Sequence, residues 1–132
     1  ALAQAFVESW LSKFIGEQLS VLSDLHPLII IAVIALAVTF LTEVTSNTAT
    51  ALLLMPILAP AGIAAGVDPA LLMVPAAMSA SYGFMMPVGT PPNAIVFGTG
   101  MVPMARMARE GLVLNFIGIA IITVMCYLLV PK

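Results

Sequence analysis

Charged side chains are scarce in this sequence. Only 8% of the 132 residues are charged, with 4 Lys and Arg against 6 Asp and Glu, whereas about a quarter of a soluble domain is charged. Hydrophobic residues make up 62% of the chain, and its mean hydropathy is +1.19. This balance predicts an integral, multi-pass membrane protein in contact with lipid. The net charge of −2 supplies no basic surface, which argues against nucleic acid as a partner.

Cysteine and histidine are almost absent as well. The single cysteine, Cys126, excludes a disulfide within the chain, and the single histidine, His26, is far from it in sequence. The sequence has no glycine-rich phosphate loop and no nucleophile paired with a base, so we predict that it is not an enzyme. His26 directly precedes Pro27, which favours a surface or helix-capping histidine over a metal ligand.

Long apolar runs predict an all-α fold. Pro27 and the Asp68-Pro69 pair are typical helix starts, because proline fits the first turn and aspartate can cap it. The run that begins at Pro27 would reach only about 22 Å before polar residues interrupt it, which is short of a hydrocarbon core of about 30 Å. We expect helices over 1–22, 27–41, 49–59, 69–86, 93–97 and 112–130, with a short charged helix or turn over 103–110.

Two polar stretches, residues 42–50 and 87–93, separate these apolar runs. The first lies between two short helices and predicts the tip of a re-entrant hairpin, which a membrane tolerates only where protein or water covers it. The second contains three prolines and predicts a broken transmembrane helix. The expected organisation is a peripheral amphipathic helix over 1–25, a re-entrant hairpin over 26–66, a broken transmembrane helix over 67–100, and a charged connector with a final transmembrane helix over 101–132.

Helices that end inside a membrane present chemistry that suits ions and anions. Their C-termini expose carbonyl oxygens, which attract Na⁺, and their N-termini expose N–H groups, which attract carboxylates. Discontinuous helices of this kind hold the ion and substrate sites of secondary transporters. A single Thr or Ser in such a helix more often bonds back to a helix carbonyl. Uncharged side-chain oxygens at the two breaks come from Thr42, Thr45, Ser46, Asn47, Thr48, Thr90 and Asn93.

Glu43 requires separate treatment, because a carboxylate at this depth is costly and is a functional candidate by default. It could bind protons or ions, or it could brace the tip by accepting hydrogen bonds. We favour the brace, since the neighbouring neutral oxygens suffice for a cation. Asn115, in the final apolar run, is expected to hydrogen-bond across helices to a partner that the sequence does not identify.

At these residues the chain resembles the divalent anion/sodium symporter family, which includes dicarboxylate and citrate transporters. Leu41-Thr42-Glu43 and Ser46-Asn47-Thr48-Ala49 are similar to the second Ser-Asn-Thr signature of that family. Residues 87–97 resemble the broken-helix signature that follows it. Gly111-Leu112 and Asn115 resemble the start of the family's last helix.

The resemblance implies an elevator-type transporter built from two inverted repeats that works as a homodimer and is coupled to Na⁺. The implied Na⁺ site uses Thr42, Thr45, Asn47 and Gly89, partly through backbone carbonyls. The implied substrate site, for a dicarboxylate or tricarboxylate anion, uses Ser46, Asn47, Thr48, Thr90 and Pro91. Glu43 and Asn93 would have structural or coupling roles.

Only one Ser-Asn-Thr sequence occurs here, so we expect the second-repeat part of a longer transporter, or a half that must pair, with the N-terminal repeat missing. The expected function is Na⁺-coupled transport of C4-dicarboxylates or citrate, in the bacterial inner membrane. One alternative is a dicarboxylate exchanger or proton-coupled anion transporter on the same architecture, which Glu43 would favour. The other is a small membrane subunit that only packs on a partner.

Overall fold

The structure is a computed structural model that describes Glu17 and residues 24–131. Residues 24–131 contain five α-helices. The predicted amphipathic helix over 1–22 lies outside the described residues, apart from Glu17. The described residues form helices and loops without a strand. The helices are α1 (Pro27–Val44), α2 (Asn47–Ala65), α3 (Pro69–Ser79), α4 (Pro91–Gly98) and α5 (Met104–Leu129).

Three of these helices, α1, α2 and α5, are long and apolar enough to cross a membrane. Many of their large apolar side chains are exposed, including Leu52 and Leu53 on α2 and Leu128 and Leu129 on α5. Such exposure suits helices that contact lipid or other transmembrane segments. The prediction of an all-α membrane protein is therefore confirmed.

The helix starts follow local signals. The His26 side chain caps α1 by accepting from the Leu28 N–H at 3.3 Å, as the prediction of a capping histidine required. Asp68 caps α3 by accepting from the Ala70 N–H at 2.8 Å, also as predicted. Gly66 ends α2 with φ of 72°, a left-handed conformation that glycine adopts at little cost.

The central core lies where α1, α3 and α5 meet. Ile31, Leu72 and Ile122, one from each helix, are almost completely buried. Helix α3 packs against both α1 and α2, whereas α1 and α2 have few contacts with each other. The His26 and Tyr127 rings lie 5.5 Å apart, so the start of α1 is level with the end of α5, and the two helices run antiparallel.

Several predicted helix boundaries were wrong. Helix α1 continues past Leu41 to Val44, and α2 covers 47–65 rather than 49–59, passing through Pro56 and Pro60. Proline removes one backbone donor without stopping a helix that its neighbours support. The predicted short element over 103–110 is instead the start of α5, which runs unbroken from Met104 because no breaker follows.

The largest correction concerns the predicted helix over 69–86, which ends at Ser79 as α3. Residues 80–90 then form an irregular segment, called the break below, before α4 begins at Pro91 rather than Asn93. The physical reason lies outside the segment. The N–H groups of Phe84, Met85 and Met86 donate to the Glu43 carboxylate and so cannot join a helical ladder.

Candidate functional site

The joint between α1 and α2 is a short polar tip. Thr45 is in an extended conformation after α1, and Ser46 caps α2 by accepting from the Ala49 N–H at 3.4 Å. The Thr45 hydroxyl donates to the Leu41 carbonyl at 2.8 Å and contacts Thr50. The Thr45 side chain therefore bonds back to its own helix, so any contact with a cation would come from its carbonyl.

The tip lies directly against the break. Thr42, which is 0% exposed, donates from its hydroxyl to the Ala80 carbonyl at 3.0 Å. Glu43 bonds to three successive N–H groups of residues 84–86. Because both side chains project from the last turn of α1, that turn joins the tip to the break.

Four polar groups converge where the tip and the break touch. The outer amide atom of Asn47 lies 2.7 Å from the Thr42 hydroxyl oxygen, 3.1 Å from the Ala80 carbonyl and 3.2 Å from the Gly89 carbonyl. If that atom is nitrogen, all three oxygens lie within reach of its two N–H hydrogens. If it is oxygen, four uncharged oxygens face one another, and a cation between them would satisfy the group. We call Thr42, Asn47, Ala80 and Gly89 the oxygen cluster.

The donor set of the oxygen cluster fits a hard, weakly charged cation. A hydroxyl, an amide and two main-chain carbonyls are oxygen ligands without formal charge, which suit Na⁺ better than a transition metal. Unwound backbone carbonyls and helix C-termini serve this purpose in secondary transporters. Three of the four predicted Na⁺ ligands, Thr42, Asn47 and Gly89, are brought together, whereas the Thr45 hydroxyl points elsewhere.

An open cavity of about 450 Å³ adjoins the oxygen cluster. All five residues that the family resemblance implies for the substrate line it, and so does Gly89 of the cluster. The cavity therefore lies between the starts of α2 and α4, one on each side. Its lining consists of Ser46, Asn47, Thr48, Pro87, Val88, Gly89, Thr90, Pro91 and Ala94.

The two helix N-termini at the cavity differ in what they offer an anion. The N–H groups of Asn47 and Thr48 open α2, where no intrahelical acceptor exists for them. Helix α4 opens with Pro91 and Pro92, which have no N–H, and the Asn93 N–H is directed to the Thr90 hydroxyl at 3.4 Å. The expectation that both helices supply amides thus needs correction, because α4 contributes its dipole and the Thr90 hydroxyl.

Asn93 braces the main chain of the break, and Ala80 enters the site without having been predicted. The Asn93 side chain is turned away from the cavity and donates to the Gly83 carbonyl at 2.7 Å and the Met86 carbonyl at 3.0 Å. Ala80 was missed, because it enters the cluster through its main-chain carbonyl and no side-chain signal marks it. Asn115 has its partner: its amide donates to Glu43 at 2.6 Å, across helices as predicted.

Neutral oxygens buried at a helix break, beside an open cavity between two helix N-termini, are the arrangement that secondary transporters use. The fold and site thus define a segment of a helical membrane transporter. The chain matches the family described as sodium:sulfate symporter transmembrane region over residues 1–130, and it belongs to that family. The resemblance to divalent anion/sodium symporters is therefore confirmed.

Curated relatives agree with this assignment. The chain is 52% identical over 131 residues to the sodium-dependent dicarboxylate transporter SdcS of Staphylococcus saprophyticus, covering 99% of the chain and 25% of that protein. It is 51% identical, with the same coverage, to SdcS of Staphylococcus aureus strain MRSA252. The chain thus spans about a quarter of the length of these relatives. The family and these relatives are transporters rather than enzymes, in agreement with the sequence prediction.

Proposed function

We propose that this chain is the site-bearing second repeat of a Na⁺-coupled transporter of dicarboxylate anions, with C4-dicarboxylates or citrate as substrates, in the bacterial cell membrane. The observation that carries the proposal is the oxygen cluster beside the cavity, with Gly89 belonging to both. The ion and the substrate class in this proposal come from the names of the chain's relatives, since SdcS is called a sodium-dependent dicarboxylate transporter.

In this proposal Na⁺ occupies the oxygen cluster and draws the anion into the cavity. Thr42, Asn47, Ala80 and Gly89 hold the ion, with the carbonyl of Thr45 as a further ligand. Ser46, Asn47, Thr48, Thr90 and Pro91 surround a substrate carboxylate. Among the residues that the structure describes, no Lys or Arg lines the cavity, so in this proposal positive charge comes from Na⁺ and from the α2 and α4 dipoles. Anion affinity should therefore rise with Na⁺ concentration.

We further propose that α1 and α2 form a re-entrant hairpin. Its depth can be compared with the length of α5, which runs beside α1. The start of α1 is level with Tyr127, whereas Glu43 near the tip is level with Asn115. Helix α5 continues beyond Asn115 for eleven residues towards Met104, which is about 16 Å at 1.5 Å per residue. The charged residue of α5 nearest to this level is Glu110, five residues or about 7.5 Å from Asn115, which supports a tip that ends just inside the apolar part of α5.

The proposed whole is an elevator-type homodimer in which a first repeat supplies the rest of the substrate cradle. Helix α4 supports this, because none of its residues is buried and Ile95 is 70% exposed within the described residues. An apolar helix beside an ion site needs a protein or lipid cover. The segments 26–66, 67–100 and 101–132 hold the hairpin, the broken helix and the final span respectively.

The first test is uptake of radiolabelled succinate by vesicles that contain the complete transporter carrying this chain. Replacing Na⁺ by choline should abolish uptake, and undiminished uptake in choline would contradict Na⁺ coupling. Asn47→Ala should abolish Na⁺-driven uptake because it removes an amide that serves both the cluster and the cavity. The matched control is Thr99→Ala, which shortens an exposed side chain outside the site and should leave uptake unchanged.

A further inference from the structure

Glu43 is surrounded by N–H donors on both carboxylate oxygens. Oε1 accepts from the Phe84 N–H at 2.9 Å, the Met85 N–H at 3.0 Å and the Asn115 amide at 2.6 Å. Oε2 accepts from the Met85 N–H at 3.1 Å and the Met86 N–H at 3.0 Å. Glu43 is only 4% exposed. Glu43 is therefore the acceptor in all five of these hydrogen bonds, and it holds three successive main-chain N–H groups at once.

The Asn93 side chain binds the same main-chain segment through the segment's carbonyl groups. Asn93 donates to the carbonyls of Gly83 and Met86, while Glu43 accepts from the N–H groups between and beside them. The break has no helical ladder of its own over these residues. Its conformation therefore depends on side chains from α1 and α4, because buried backbone groups must find partners.

Residues 84–86 are connected to the oxygen cluster through Gly89. The Gly89 N–H donates to the Met86 carbonyl at 3.0 Å, and a Cβ added to Gly89 would lie 3.3 Å from Oε2 of Glu43. The carboxylate therefore lies beside Gly89, the residue whose carbonyl faces Asn47.

We propose that Glu43 is a positioning residue of the cation site. It does not ligate the ion: it fixes residues 84–86, so that the Gly89 carbonyl faces Asn47. Asn115 supports this role from α5. The inference rests on the proposed function, since it presupposes Na⁺ in the oxygen cluster.

The test is Glu43→Gln in the complete transporter, reconstituted in vesicles. Glutamine keeps the size but loses the charge, and its NH₂ group faces main-chain N–H groups that need an acceptor. The Na⁺ concentration for half-maximal succinate uptake should rise about 10- to 100-fold, as when an outer partner of a metal ligand is removed. The KM for succinate at saturating Na⁺ should change far less, a separation that general misfolding would not produce.

The matched control is Glu110→Gln, the same substitution at an exposed glutamate of α5, which should leave the Na⁺ dependence unchanged. If Glu43→Gln does not reach the membrane, Asn115→Ala carries the test, because it keeps the carboxylate and removes one donor. Its Na⁺ half-saturation should rise about tenfold. An unchanged Na⁺ half-saturation in whichever variant carries the test would overturn the role of Glu43. Na⁺-independent uptake by the unmodified transporter would instead overturn the proposed function itself, and this inference with it.

Discussion

Thr42 links the polar tip to the break. It is fully buried, and its hydroxyl lies within hydrogen-bond distance of Asn47 and the Ala80 carbonyl. Threonine and valine have nearly the same shape, so exchanging them isolates the hydroxyl. Thr42 therefore provides a direct measure of how much one neutral oxygen contributes to cation binding.

We predict that Thr42→Val raises the Na⁺ concentration for half-maximal uptake about tenfold, since a lost buried partner costs about 1–3 kcal/mol and tenfold corresponds to about 1.4 kcal/mol. Thr42→Ser should restore most of the affinity. The exposed Thr99→Val should leave the Na⁺ titration unchanged. A Thr42→Val transporter with unaltered Na⁺ dependence would remove Thr42 from the site.

At the level of single residues, the sequence predicted those that act through a distinctive side chain. Ser46, Asn47 and Thr48 stand out because uncharged polar groups interrupt an apolar run. Ala80 could not be predicted, since a main-chain carbonyl contributes regardless of the side chain. The bracing role of Glu43 was expected at its own tip, but its partners lie about forty residues further along, where only tertiary packing brings them together.

Helix α5 approaches the break unusually closely through two glycines. A Cβ on Gly111 would clash with the backbone of Phe84 and Met85, and one on Gly118 would clash with the Tyr82 ring. The close approach at Gly111 lies one turn from Asn115, which bonds to Glu43. The final helix therefore supports the site by packing and by a hydrogen bond at the same level.

We expect Gly111→Ala to destabilise the transporter by about 1–3 kcal/mol, as overpacking does, because the added methyl meets backbone that cannot rotate away. Thermal unfolding in detergent and succinate uptake should both decline. Gly98→Ala provides the matched control, since no atom lies within 4 Å of its added Cβ. Equal stability of the two variants would mean that α5 is not packed against the break in this way.

Element types were predictable where apolar runs and caps coincide, as at His26 and Asp68. Element ends were not, and α3 illustrates the cause. Its apolar pattern continues to residue 86, yet the helix ends at Ser79, and the N–H groups of residues 84–86 bond to a distant carboxylate instead of continuing it. Local propensity cannot reveal such competition for hydrogen bonds.

At the scale of the whole molecule, three observations belong to the proposed transport site. The tip and the break share a cluster of oxygens, the cavity opens beside it, and the last turn of α1 is level with Asn115 of α5. The proposal is that Na⁺ in the cluster enables an anion to bind in the cavity. Val88 provides a probe, because it lines the cavity and is 74% exposed.

The most direct measurement is the labelling of Val88→Cys by a maleimide in the complete transporter, with Met101→Cys in an exposed loop as the control. Cys126 is buried at 2% exposure and should not compete for the reagent. We predict that Na⁺ together with succinate slows labelling of Val88→Cys, that succinate in choline does not, and that Met101→Cys reacts equally in all conditions. Equal labelling of Val88→Cys with and without Na⁺ and succinate would contradict the account.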